Sequence, residues 1–272
     1  MTRREMMIKQ RLQYHYDDLL KEYPEERVIG VFLHGSQNYN VDTEFSDIDT
    51  RAVILPSFDE ICKGQSPTSR KITRHNDEHI DVKDIRVLFK IFCKQSVAFL
   101  EILYTDFKIV NPTYEQLWKK VEEYKEEIVK YNPYAIAKNI KGFSMEKYHS
   151  MEHRYPSKIE IIDKYGYDPK QLHHLLRLQR MLFDYITGEP FARCLKPKDT
   201  HYLIKVKQGY YTLPEARRMA KTTIDYIVNT VDNFCEKNQK TSNPEVERYL
   251  EEIQAEFIKK SLKAELLEEK KE

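Results

Sequence analysis

Residues His34 to Arg51, HGSQNYNVDTEFSDIDTR, are the stretch from which the rest of the chain is read. They follow the apolar run Val28-Ile29-Gly30-Val31-Phe32-Leu33, which is short and β-branched and so predicts a buried strand. Gly35-Ser36 ends that run with small residues, which let backbone amides approach a ligand closely. Asp47-Ile48-Asp49 then opens a second apolar run, Ala52-Val53-Ile54-Leu55. On a strand, side chains alternate between faces, so Asp47 and Asp49 point one way and Ile48 points into the core. Paired carboxylates at that spacing suit a hard divalent cation, and without a cation or a proton between them they repel.

Working outward, His79-Ile80-Asp81-Val82-Lys83 alternates polar and apolar residues as a half-buried strand does, with Asp81 and Lys83 on one face. Asp84 stands immediately before the apolar-periodic run Ile85–Leu103 and is the cap of a helix expected over 84–103. On the other side, Met7, Leu12, Tyr16 and Leu19 recur at helical spacing and predict a first helix over 5–23.

Gly35-Ser36, ten intervening residues, and Asp47-x-Asp49 within Ser46-Asp47-Ile48-Asp49 resemble the signature of the polymerase-β-type nucleotidyltransferase superfamily. Two further stretches, Lys94–Thr105 (KQSVAFLEILYT) and Tyr165–Lys170 leading into His173-His174 and Arg177, resemble a subgroup of predicted bacterial and phage nucleotidyltransferases associated with RNA repair. The resemblance implies an α+β fold, a small mixed sheet flanked by helices and followed by an all-helical C-terminal domain. It implies that the Gly-Ser turn starts a helix, and that Gly35 and Ser36 hold the triphosphate of an NTP such as ATP. It implies that Asp47 and Asp49 bind Mg²⁺ or Mn²⁺, with Asp81 as the third carboxylate. Asn40 stands where a second glycine often follows the Gly-Ser pair, and asparagine tolerates left-handed backbone angles better than most residues.

The implied reaction moves a nucleoside monophosphate from an NTP to an acceptor hydroxyl and releases pyrophosphate. The acceptor is an RNA end on the subgroup resemblance. The alternatives are a protein acceptor, as in toxin–antitoxin pairs, and a non-catalytic nucleotide-binding module on the same fold. Because the N-terminal region offers few clustered cations, Lys170, His174 and Arg177, which share a helix face, are expected to supply counter-charge to the nucleotide.

With 272 residues, of which 33% are charged and 40% hydrophobic, the chain has the composition of a globular protein with a real core. A net charge of +1 argues against a protein held on nucleic acid by bulk electrostatics. The four cysteines, Cys62, Cys93, Cys194 and Cys235, are scattered and suit reduced thiols, so a cytoplasmic location is expected. The N-terminus lacks the apolar core of a signal peptide, and no run reaches the length of a membrane span, so no membrane partner is expected. His149 and His153 have a zinc-ligand spacing but no accompanying cysteine pair, which makes a helix surface the better reading.

Residues 56–77 are polar and predict a loop, or a short helix and a loop. Asn111-Pro112 punctuates the chain and sets an expected boundary between a catalytic domain over 1–112 and a helical domain over 113–272. Within the latter, helices are expected over roughly 113–130, 133–153, 169–187, 213–236 and 244–270. The third has Asp168 as N-cap, Pro169 at its first position and Gly188 just past its end.

Overall fold

The computed structural model describes residues 1–43, 46–74, 77–238 and 240–268. The fold is α+β: a five-stranded mixed sheet with flanking helices, and a helical C-terminal region. The strands are β1 (Val28–His34), β2 (Asp49–Ile54), β3 (Ser69–Thr73), β4 (His79–Asp84) and β5 (Lys108–Val110), in the order β3-β4-β2-β1-β5. β2 and β4 run parallel, and the other pairings are antiparallel.

One face of the sheet is apolar because alternate residues of each strand are. Val31, Leu33, Ala52, Ile54, Ile80 and Val82 form a buried cluster with Ile8, Leu12, Tyr16 and Leu19 of the first helix, Arg3–Leu20. Truncating one of these leucines to alanine should cost about 2–5 kcal/mol. Gly30 permits the close approach of β5, since a Cβ there would collide with the carbonyl oxygen of Ile109.

The helix expected over 84–103 is broken. Asp84 caps the helix Ile85–Cys93, accepting from the Arg86 amide at 2.8 Å, and Gln95 then takes a left-handed φ of 54° before a short second turn at Val97–Leu100. The polar stretch 56–77 holds the short helix Phe58–Cys62 and the strand β3, which pairs with β4.

The chain divides into two compact units: Met1–Asn38, Ser46–Tyr131 and Ser242–Glu272 in the first, Tyr39–Phe45 and Asn132–Thr241 in the second. The division does not fall at the expected boundary, Asn111-Pro112, and packing in the first unit gives the reason. Trp118 lies against Phe32 of β1 with ring centroids 4.4 Å apart, and Tyr114 lies 5.8 Å from Phe257 of the last helix, Pro244–Glu268. The Ser261 hydroxyl of that helix donates to the Glu26 carbonyl at 2.9 Å, just ahead of β1.

The second unit is built on the helices Pro133–Ser150, Pro169–Ile186 and Leu213–Lys237. The second of these has the expected ends: the Asp168 side chain accepts from the Lys170 amide at 2.9 Å, Pro169 follows the cap, and Gly188 has φ 84°. Leu172, Leu175, Leu178 and Leu182 form its buried stripe. Three shorter helices, Ile159–Tyr165, Phe191–Leu195 and Thr200–Lys207, have no counterpart in the sequence reading.

Candidate active site

The second face of the sheet is polar where the motif residues lie. Register fixes which of them meet: His34 pairs with Asp49, Arg51 with Asp81, and Asp81 with Lys71. Strand pairing therefore sets the Gly35-Ser36 turn at the end of β1 directly beside the Asp47–Asp49 segment at the start of β2. β2 begins at Asp49 rather than before Asp47, yet Ile48 is 3% exposed and Asp47 is open to solvent, so the expected alternation survives at the strand entrance. Asp49 is half-buried, and its Oδ1 accepts from the His79 backbone N–H at 2.8 Å, which fixes the carboxylate's orientation.

Gly35 has φ 86°, a conformation that costs a side-chain-bearing residue energy, and a Cβ there would meet nothing within 4 Å. The glycine answers a backbone need and leaves open space beside the turn. Asn40 adopts φ 55°, as the reading of that position anticipated. The helix expected to start at the Gly-Ser pair is one 3-10 turn, Ser36–Tyr39. Asn38 ties the turn down, donating to the Leu33 carbonyl at 2.7 Å and accepting from the Thr105 hydroxyl at 2.8 Å.

The expected three-carboxylate set is not assembled. Asp81 is held on both oxygens by cations, Oδ2 at 2.9 Å from Arg51 Nη1 and Oδ1 at 2.7 Å from Lys83 Nζ. Among the described residues no group of three His, Cys, Asp or Glu side chains is arranged to hold a metal ion. Asp47 and Asp49 still fit one hard cation of the Mg²⁺ type, which takes one or two carboxylates and completes its shell with water and substrate phosphates.

Arg51 is the site residue that the sequence reading missed. Its side chain is 9% exposed, its Cζ lies 3.7 Å over the Phe99 ring, and its Nε is buried without a hydrogen-bond partner. Burial pushes its pKa down to about 10, against the pull of Asp81 and Asp49, so the group remains a cation at neutral pH. The signal was present: Arg51 follows Asp49 by two residues and so shares its strand face. With Lys71 and Lys83 it also corrects the expectation that this region has few clustered cations. Burial first, and then the neighbouring Arg51 and Lys71, hold the His34 imidazole well below its ordinary range, so it is neutral.

No family model matches the chain, and no curated protein does. Among solved structures, a nucleotidyltransferase-like protein from Exiguobacterium sibiricum 255-15 aligns with a TM-score of 0.31 and 12% identity, over 83% of this chain and 74% of that one. A likeness at that level carries nothing about activity. Among the described residues no helix is long and apolar enough to cross a membrane.

Lys170, His174 and Arg177 belong to the second unit and differ in what they offer. Lys170 is exposed. Arg177 is 8% exposed and its Cζ lies 4.0 Å over the Tyr39 ring, which belongs to the same unit. Burial, followed by His173 and the cations Arg177 and Lys170, keeps His174 well below its ordinary pKa, so it supplies no positive charge at neutral pH. Of the three, Lys170 alone combines charge with exposure.

Proposed function

We propose that the chain is a metal-dependent nucleotidyltransferase that moves a nucleoside monophosphate from an NTP to an acceptor hydroxyl. The observation that carries this reading is the His34–Asp49 pairing, which brings the left-handed Gly35 turn and the Asp47–Asp49 segment side by side where two interior strands, β1 and β2, end and begin. A turn with open space beside it suits a phosphate, and adjacent carboxylates suit the cation that accompanies a triphosphate.

In this reading Asp47 and Asp49 hold Mg²⁺ or Mn²⁺, and Gly35 and Ser36 receive the triphosphate through backbone N–H groups and the Ser36 hydroxyl. A divalent cation bound there would neutralise charge on the transferred phosphoryl group and on the departing pyrophosphate. The acceptor oxygen forms a bond to the α-phosphorus while the bond from that phosphorus to the α,β-bridging oxygen breaks, and pyrophosphate leaves with the electron pair. The acceptor hydroxyl gives up its proton to solvent water. His79, through its backbone N–H, keeps Asp49 in a single orientation. Arg51 and Lys83 hold Asp81 out of the metal set and place fixed positive charge beside the carboxylate pair, where it favours a polyanionic substrate.

We assign an RNA end as the first acceptor to test. Incubation with each α-labelled NTP, Mg²⁺ or Mn²⁺, and separate RNA, protein and small-molecule acceptors decides the matter. Label transferred to RNA in the parent and absent with Asp49→Asn is the expected result. Label on protein alone would reassign the acceptor, and no transfer to any class would remove the activity.

A further inference from the structure

A cavity of about 320 Å³ lies within the second unit, among the helices Pro169–Ile186, Thr200–Lys207 and Leu213–Lys237. Its walls include Phe183, Tyr202 and Tyr226, and its polar groups are Gln179, Arg180 and Asp199. We propose that this cavity binds the planar base of a nucleoside, as a site separate from the carboxylate pair at the start of β2.

The aromatic walls carry the first part of the inference. Phe183 is 44% exposed and Tyr202 40% exposed, whereas Tyr167, in the same unit, is fully buried with its hydroxyl donating to the Tyr211 carbonyl at 2.9 Å. Large rings left open at the rim of a concavity present π faces, and any nucleobase has a face to stack on them.

The polar groups carry the second part. Arg180 Nε is buried and makes no hydrogen bond, although it lies 3.5 Å from Asp184 Oδ2 as an ion pair. The guanidinium therefore brings donor capacity to the cavity wall. Asp199 stands at the N-cap of Thr200–Lys207, yet its side chain makes no capping bond. Burial raises the Tyr202 phenol above its ordinary range and its hydroxyl is engaged with the Tyr211 side chain, so Tyr202 offers the cavity its ring rather than a donor. One strong donor, one acceptor-only carboxylate and one amide, set among aromatic rings, match a ring whose edge carries both acceptors and donors. An inorganic anion would meet the Asp199 charge, and a simple amine would meet Arg180.

The test is calorimetric titration of the full chain with adenosine, guanosine, cytidine and uridine and with their 5′-monophosphates, without added divalent metal. At least one nucleoside should bind saturably. Tyr202→Leu, which keeps apolar bulk and removes the ring, and Arg180→Gln should each weaken that binding roughly tenfold or more. Asp49→Asn should leave it unchanged while abolishing nucleotidyl transfer, so that failure here and failure of the proposed reaction remain distinct. Circular dichroism melts establish that each variant is folded, and Tyr202 is exposed enough for its replacement to be tolerated. Absence of saturable binding to all eight compounds at millimolar concentration would overturn the proposal. Binding that Asp49→Asn removes and Tyr202→Leu spares would overturn it equally.

Discussion

Arg51 Nη1 lies 2.9 Å from Asp81 Oδ2 across the parallel pairing of β2 with β4, so the carboxylate expected as a third metal ligand is the counter-ion of a buried arginine in this structure. Removing one member of such a pair leaves the other charge uncompensated, at a cost of about 3–5 kcal/mol for fully buried pairs. The Asp81 side chain is 20% exposed, which places Asp81→Asn at the low end of that range. Chemical denaturation in the absence of metal should show this loss, and the double variant Arg51→Met/Asp81→Asn should recover part of it. Unchanged stability in Asp81→Asn, together with lost transfer, would return Asp81 to the metal site.

The carboxylate pair should behave in the opposite way. Asp47 is exposed and Asp49 is engaged by a backbone N–H that an asparagine oxygen can still accept, so Asp47→Asn and Asp49→Asn keep the local geometry. Melting temperatures should stay near the parent's, while transfer from an α-labelled NTP falls by about a hundredfold or more. Near-parent turnover in Asp49→Asn would sink the proposed mechanism.

At the turn, Gly35→Val forces a β-branched residue to φ 86°, which costs of order 1–3 kcal/mol in backbone strain even though its side chain meets open space. Its effect on NTP affinity must therefore be read beside its melting curve. Ser36→Ala carries no such strain and removes one hydrogen bond to a charged group, worth about 1.5–3 kcal/mol. Calorimetric titration that finds unchanged NTP affinity in Ser36→Ala would move the phosphate site away from this turn.

The features that local chemistry dictates were readable in the sequence. Val28 to Leu33 could be a buried strand and little else, Asp84 and Asp168 carried the chemistry of helix caps, and Ile48 between two aspartates marked an inward-facing position. What could not be read depended on partners distant in sequence. β3, Ser69-Arg70-Lys71-Ile72-Thr73, is an edge strand whose polar residues give no apolar alternation, and it is a strand because β4 lies beside it. Arg51 and Asp81 are separated by 30 residues, and only strand register joins them. The left-handed turn at Gln95 interrupts an apolar pattern that continues through it, so periodicity alone predicts one helix there.

Lys170 and Arg177 should now separate experimentally. Arg177 is buried over the Tyr39 ring, so Arg177→Ala should lower stability by about 1–3 kcal/mol through lost packing within the second unit. Lys170 is exposed, and Lys170→Ala should change stability by no more than about 0.5 kcal/mol. That makes Lys170→Ala the clean test of a phosphate contact: NTP affinity reduced on an unchanged melting curve keeps the assignment. Parent-like affinity removes it.

His173 offers a pH test of how the second unit is built. Its Nδ1 lies 2.9 Å from the Leu203 carbonyl oxygen, which can only accept, so Nδ1 carries the proton and the ring is held in one tautomer. Burial, opposed by that hydrogen bond and reinforced by Arg177, lowers its pKa from 6.5 to about 4. A folded pKa below the unfolded one means that the unfolded chain binds the proton first as pH falls. Stability should therefore be full above pH 6.5, decline between about 6.5 and 4, and level off below that. At roughly 1.4 kcal/mol per pKa unit, the decline amounts to a few kcal/mol at most. His15, His34 and His174 are also depressed by burial and add to the acid limb, so the comparison must be with His173→Asn, which keeps a donor near the Nδ1 position and does not titrate. Denaturant unfolding at pH 7 and pH 5 should show a smaller loss of stability in the variant than in the parent. Equal losses in the two proteins would mean that His173 takes up its proton as readily in the folded chain as in the unfolded one.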